Sequence, residues 1–419
     1  MRSAMVTNDS EVFACYPAAR DGNHVIRALQ QRGALGEFFT DFSIPGALGP
    51  LLRACGMSDR RVASIPFHLI AQDPGIFLGQ RRIRGTELEK YAAFAELDAA
   101  FSRKALARWL KHPRHLFTYE PYALPLFQHP ATREWNRSLF YFHPNRRLER
   151  ELLLADADVS GLKAPPGLKA EDNFALDEAW RASTRCLFAS TFSRNSILPA
   201  DAKIPAKVVP YGVNCDESPV LPWEERARAF VYVGSGTQRK GLHHLLLGWK
   251  AFHQANPRYT LIIVCRSLDE NMEPFLAQAE DVRIENHASD EEVRSIVRQS
   301  RALIMTSLYE GFGHVYLEAL SCGTPILGSV NSGAPDLGVE SDGVYIAPPG
   351  NINAISEMLH LIVARGEDGS VDCNAIKRRI AARFSWSIFE KEISDFILCE
   401  ESAGSLDRFR GEGRRPPVT

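Results

Sequence analysis

The chain has 419 residues, 45% hydrophobic and 24% charged, with a formal net charge of −2; this is globular material long enough for two cores, and its near-neutral balance offers no global field for nucleic acid. No apolar run approaches the ~20 residues of a membrane span, and Met1 to Ser10 are polar rather than leader-like. Eight cysteines without a Cys-x-x-Cys pair argue against a structural zinc site and a disulfide framework, so reduced thiols in a cytoplasmic protein are expected.

In chain order, the first half predicts helices over Asn23 to Gln31, Glu87 to Leu110, Arg146 to Ala155 and Glu171 to Ala182. Strands are expected at Phe38 to Phe42, His115 to Tyr119, Ser138 to Phe142, Cys186 to Ser190 and Lys207 to Pro210. The Gly22-Asn23-His24 turn reads as a helix start. Asp9, His24 and Glu120 fall in loops of this half as minor polar candidates, and His143 closes a strand in Phe142-His143-Pro144-Asn145. Residues 101–114 carry five basic side chains, no acid, and the apolar Phe101, Leu106, Trp109 and Leu110. Such a helix either rests on anionic lipid or, the preferred reading, packs its apolar side on its own lobe with the basic groups solvated.

A proline-rich stretch from Pro199 to Pro222 marks a boundary. Beyond it strands are expected at Ala229 to Val233, Thr260 to Cys265, Val282 to Glu285, Ala302 to Thr306, Pro325 to Val330 and Val344 to Ala347. Helices fill the gaps, among them Leu242 to Gln254, Asp290 to Gln299 and Ile352 to Val363. Strands alternating with helices imply parallel βαβ units and a doubly wound sheet, whose ligands bind beyond the carboxyl ends of the strands.

Two loops stand at such ends. Gly234-Ser235-Gly236-Thr237-Gln238-Arg239-Lys240-Gly241 lies between a strand and a helix, the position where such sheets hold phosphate, yet matches neither a Walker loop nor a dinucleotide fingerprint. The second, Ser307 to Pro325, carries Glu310-Gly311-Phe312-Gly313 ahead of a short helix with Glu318, closed by Gly323 and Pro325. Free amides at a helix start attract anionic oxygen, the glycines admit a ligand close to the backbone, and the two carboxylates suit hydroxyl groups. Phosphate beside polyol points to a sugar nucleotide.

These residues carry a resemblance. Glutamates separated by seven residues, with Gly-Phe-Gly after the first and Glu-Ala-Leu-x-x-Gly-x-Pro around the second, resemble the retaining GT-B glycosyltransferases of family 4. Val208 to Asn214 is similar to that family's entry into its second lobe, and Phe384-Ser385-Trp386 to its closing segment. The resemblance implies two Rossmann-like lobes facing a cleft: an acceptor lobe at residues 1–205, a sugar-nucleotide lobe at 206–382, a crossover helix at 383–402, and a Gly/Arg/Pro-rich tail at 403–419 expected to be disordered.

It further implies transfer of a sugar from a UDP- or GDP-linked donor to a saccharide or lipid-linked saccharide, with no metal and no cofactor. Glu310 and His143 are the implied catalytic pair. Gly234, Ser235, Arg239, Lys240, Gly311, Phe312, Gly313 and Glu318 are the implied donor contacts, Lys240 occupying the family's diphosphate-binding lysine position. The family's Arg after the first glycine is Ser235 here, with Arg239 as the nearest substitute. A sugar-nucleotide epimerase and a non-catalytic scaffold remain the alternatives, and the missing arginine is the main sign of the latter. Asp156-Ala157-Asp158 has the form of the metal-and-diphosphate pair of the other glycosyltransferase fold, but it closes a helix pattern and is expected to hold no metal.

Overall fold

The computed structural model describes residues 11–17, 20–45, 48, 65–84, 87–111, 115–163, 174–215 and 218–399. Asp9, the end of the basic stretch at 112–114 and the tail from 400 onward lie outside the described residues.

Two parallel sheets organise the chain. The first contains β1 (Val12–Cys15), β2 (Leu35–Thr40), β3 (Ile70–Gln72), β4 (His115–Tyr119), β5 (Asn136–Tyr141), β6 (Arg185–Phe188) and β7 (Ala206–Val208), in the spatial order 3-2-1-4-5-6-7. The second contains β8 (Ala229–Val233), β9 (Thr260–Val264), β10 (Val282–Glu285), β11 (Ala302–Met305), β12 (Ile326–Ser329) and β13 (Val344–Ala347), in the order 10-9-8-11-12-13. Central strands such as Ala302–Met305 are buried at every residue, as expected when helices cover both faces of a parallel sheet.

Around the first sheet lie α1 (His24–Gln31), α2 (Pro74–Arg82), α3 (Glu87–Trp109), α4 (Glu120–Phe127), α5 (Arg146–Ser160) and α6 (Thr191–Ile197). Around the second lie α7 (Leu242–Ala255), α8 (Glu273–Leu276), α9 (Asp290–Gln299), α10 (His314–Ser321), α11 (Ala334–Leu337), α12 (Ile352–Glu367) and α13 (Cys373–Arg383). In the second sheet the strand order reverses between β8 and β11, and a crevice opens where the two following loops splay apart.

The last helix, α14 (Trp386–Leu398), returns to the first sheet and packs on α1. Arg185 from β6 donates from one terminal nitrogen to the carbonyls of Phe396, Ile397 and Cys399 at 2.7–2.9 Å, satisfying orphan acceptors at the helix end.

The second half follows its expected strands within a residue or two. β1 and β3 are additions to the expected strands. The segment expected as a helix at Glu171 to Ala182 is described from Phe174, where it forms 3-10 turns. In the basic helix, Phe101, Leu106 and Trp109 face the lobe's own core. Lys104 contacts Asp73 at 2.5 Å, and Arg108 forks onto Glu37 at 2.7 and 2.8 Å.

Candidate functional site

The loops after β8 and β11 are stitched together by the Leu308 amide, which donates to the Arg239 carbonyl at 2.9 Å. That register brings Arg239 and Lys240 to Glu310. Its Oε1 receives Lys240 Nζ at 2.5 Å, an Arg239 guanidinium nitrogen at 3.0 Å and the Ser307 hydroxyl at 3.1 Å, and these contacts leave Oε2 for another donor. Glu310 is 7% exposed. Burial lowers the Lys240 pKa despite the adjacent carboxylate, whereas Glu310 and Tyr309 raise that of Arg239 against its own desolvation. Two cations on one carboxylate leave an excess of one positive charge, suited to a diphosphate.

Gly313, at φ 95°, is the left-handed N-cap of α10 and turns the first amides of that helix outward. Behind it a cavity of about 610 Å³ is lined by Gly234, Ser235, Asn214, His314, Glu318 and Trp386, among others. Glu318 is open to this cavity; desolvation raises its carboxyl pKa, Arg294 opposing and Asp290 reinforcing. His314 stacks on Tyr211 with ring centroids 4.4 Å apart, and desolvation pushes its pKa down to about 4.

The first lobe closes over Glu310. A Cβ on Gly311 would stand 1.7 Å from the Phe142 carbonyl oxygen and 3.5 Å from the His143 Cα, so the expected catalytic pair belongs to two facing turns in near contact. The hydroxyls of Ser190 and Ser193 donate to the Gly311 carbonyl at 2.6 and 3.0 Å. His143 Nδ1 is 3.8 Å from Glu149 Oε1. Of the sequence-predicted residues, Gly234, Ser235 and Glu318 line the cavity. Glu310, Arg239 and Lys240 form the ion cluster, and Gly311 meets the His143 turn. Phe312 is buried and packs against Tyr211 and His314.

Several residues of the site escaped sequence reasoning. Glu149 sits on the first turn of α5, where an acid ordinarily signals only a helix start. Burial, reinforced by Glu120 and Asp177 and opposed by Arg146 and Arg239, pushes its carboxyl up to about 8. Glu120, named from the sequence as a loop candidate, is instead the first residue of α4; it is fully buried and accepts from Arg146 at 3.4 Å. His24 does not face a ligand: it stacks on Trp386 at 3.8 Å and contacts Glu390 at 2.6 Å, pinning α1 to α14. Asp156 belongs with His243 and His244 of α7, while Asp158 is exposed. The adjacent histidines behind the glycine loop were the one available sign of that grouping.

Residues 216–375 match the family model described as Glycosyl transferases group 1. The O-antigen chain mannosyltransferase B of Escherichia coli is 25% identical over 345 residues, covering 73% of this chain and 88% of that protein. The GDP-mannose:cellobiosyl-diphosphopolyprenol alpha-mannosyltransferase of Xanthomonas oryzae is 26% identical over 167 residues, 38% of this chain and 43% of that one. Among solved structures, the sucrose-phosphate synthase of Thermosynechococcus elongatus superposes with a TM-score of 0.63 at 17% identity, covering 92% of this chain and 98% of that one.

Proposed function

We propose that this chain, a GT-B glycosyltransferase, moves a hexosyl group with retention from a UDP- or GDP-linked donor to a saccharide or lipid-linked saccharide, without a metal in the transfer step. The observation that carries the reading is the Lys240–Glu310–Arg239 cluster at the strand-order reversal of the second sheet, beside a cavity large enough for a nucleotide. Residues 206–382 then form the donor lobe, residues 1–205 the acceptor lobe, and 383–402 the return segment. The breaking glycosidic bond needs its departing diphosphate stabilised, and Lys240, Arg239 and the amides near Phe312 and Gly313 supply that preorganised charge. Glu310 accepts from the sugar's hydroxyls once the cations turn to phosphate, and Glu318 holds the ribose. His143 faces the donor sugar from the first lobe. The acceptor attacks on the face that the diphosphate leaves, and the phosphate takes its proton. Near contact of the lobes excludes water, favouring transfer over hydrolysis.

Both sequence relatives described above are named as mannosyltransferases, one acting with GDP-mannose, which makes GDP-mannose the first donor to try. A thermal-shift series of UDP-, GDP- and ADP-sugars, repeated with Lys240→Ala and Glu310→Ala, tests the reading, because a ligand that binds only the folded state stabilises it by mass action. One nucleotide series should raise Tm, and Lys240→Ala should abolish the rise. No shift with any sugar nucleotide would refute the donor site. Release of nucleoside diphosphate that requires an acceptor separates transfer from epimerisation.

A further inference from the structure

A second cluster joins the two lobes beside the donor loop. Asp156 stands on α5 of the first lobe; His243 and His244 stand in the first turn of α7. Neighbouring residues on a helix do not normally face one another. Here both rings nonetheless bring Nε2 to one carboxylate, His243 at 3.1 Å from Oδ2 and His244 at 3.0 Å from Oδ1, with ring centroids 3.8 Å apart. The three side chains are 7%, 0% and 7% exposed, in the order Asp156, His243, His244. Gln238 donates to the same carboxylate at 2.8 Å and to the Leu153 carbonyl at 2.8 Å.

Charge balance is the difficulty such a cluster poses. Among the described residues no lysine or arginine pairs with Asp156. Burial opposes its ionisation, but hydrogen bonds with His243, His244 and Gln238 prevail and hold the carboxyl well below its ordinary range. Desolvation lowers the His243 pKa, Asp156 opposing. A carboxylate and two imidazoles, all nearly buried, face one another with only hydrogen bonds between them, and burying a carboxylate without a full counter-charge is costly.

A divalent cation between the three donors removes that cost. Neutral imidazole and ionised carboxylate are the forms that bind metal, and the donor atoms lie within 4.8 Å of one another. Tetrahedral zinc with bonds near 2.0–2.1 Å sets its ligand atoms about 3.4 Å apart, and the two Nε2 atoms lie 3.3 and 3.0 Å from the same oxygen, Oδ1 of Asp156. A ligating carboxylate is commonly held by an outer hydrogen bond, the part Gln238 plays here.

We propose that Asp156, His243 and His244 form a divalent-metal site, zinc by its two-nitrogen, one-oxygen donor set, that ties α5 of the first lobe to the start of α7 in the second. A fourth position is left to water. The ion is structural: no step of sugar transfer passes through it, and the inference stands whether or not the donor assignment does. Because its ligands come from both lobes, metal binding stabilises their near contact by mass action.

The test uses full-length protein purified without a metal-affinity tag. Asp156→Asn keeps the side chain's shape and an oxygen that accepts from imidazole, but removes the anionic ligand; His244→Gln provides an independent loss. Metal-stripped protein titrated with zinc should take up about one equivalent and gain Tm, both effects absent in the two variants. Cobalt(II) should give the intensified visible bands of four-coordination. Zinc uptake by the parent no greater than by Asp156→Asn, or a cobalt spectrum that stays that of the six-coordinate aqua ion, overturns the proposal.

Discussion

Replacing Gly311 by alanine tests how the two lobes meet. The added Cβ would lie 1.7 Å from the Phe142 oxygen and 2.8 Å from its carbonyl carbon, whereas an unstrained carbon–oxygen contact needs about 3.3 Å. The facing turns must separate by about 1.5 Å. Gly311 does not occupy the left-handed region, so alanine strains nothing within its own strand-to-helix loop. The clash exists only while the lobes are in contact, and opening them relieves it. Two hydrogen bonds from Ser190 and Ser193 to the Gly311 carbonyl are stretched as well, worth about 1 kcal/mol each. Global stability in urea should therefore fall by no more than about 2 kcal/mol. Turnover should fall about 100-fold, the usual penalty for misplacing reacting groups by about an ångström. Acceptor-dependent release of nucleoside diphosphate at saturating substrate measures the second quantity. A turnover within twofold of the parent would refute the claim that the Gly311–Phe142 contact belongs to the working arrangement.

Glu149→Gln probes the raised carboxyl on α5. A group whose folded pKa is raised contributes stability below its unfolded pKa, and that contribution is lost as pH climbs through the folded one. With an ordinary value of 4.5 displaced to about 8, the two proteins should match near pH 5. The variant should then become more stable by about 2–5 kcal/mol across pH 5 to 8, and a difference independent of pH in urea titrations would refute the burial argument. Lys240→Arg should restore less than half of the donor affinity that Lys240→Ala loses, because a planar guanidinium cannot replace a compact ammonium held 2.5 Å from Glu310; calorimetry with the productive nucleotide sugar checks this. Arg185→Ala strips three carbonyls at the end of α14 of their donor and should cost about 2–4 kcal/mol, read from the urea midpoint. Since Lys104 and Arg108 are already paired with Asp73 and Glu37, anionic liposomes should retain the parent protein no better than a Lys104/Arg108/Lys111 triple alanine variant; clear retention of the parent alone would establish peripheral docking.

How much was legible in the sequence follows from the length scale of each feature. The second sheet could be read because strands such as Phe230 to Val233 are continuous apolar runs, and the donor loops because glycines flank charged residues at strand ends. β1, Val12–Cys15, is an apolar run of the same kind that went unread next to the N-terminus, whereas β3, Ile70–Gln72, is only half-buried and is made a strand by its register with β2. Lys240 and Glu310 were visible as separate motifs, but their contact depends on the backbone bond between Leu308 and Arg239, which no local pattern encodes. The same holds for Glu149 and Asp156. Each sits on α5 as an ordinary helical acid; Glu149 takes its raised carboxyl from burial beside Glu120 and Asp177, and Asp156 takes its partners, His243 and His244, from the other lobe.

If Lys240 and Arg239 bind the donor's diphosphate as proposed, the empty site holds both cations on Glu310 Oε1, and an arriving phosphate must compete with that carboxylate for them. On that proposal, a donor bringing two phosphates would draw Lys240 and Arg239 away and free the carboxylate for the sugar's hydroxyls. Nucleotide without sugar would strip both cations from Glu310 and leave only the Ser307 hydroxyl on a carboxylate that is 7% exposed. The geometry therefore favours the intact sugar nucleotide over its nucleoside diphosphate product by the hydrogen bonds that Glu310 makes. Glutamine at this position, neutral in either state, should narrow the ratio of the two affinities. An unchanged ratio in Glu310→Gln would show that the carboxylate only positions the cations and never reaches the sugar.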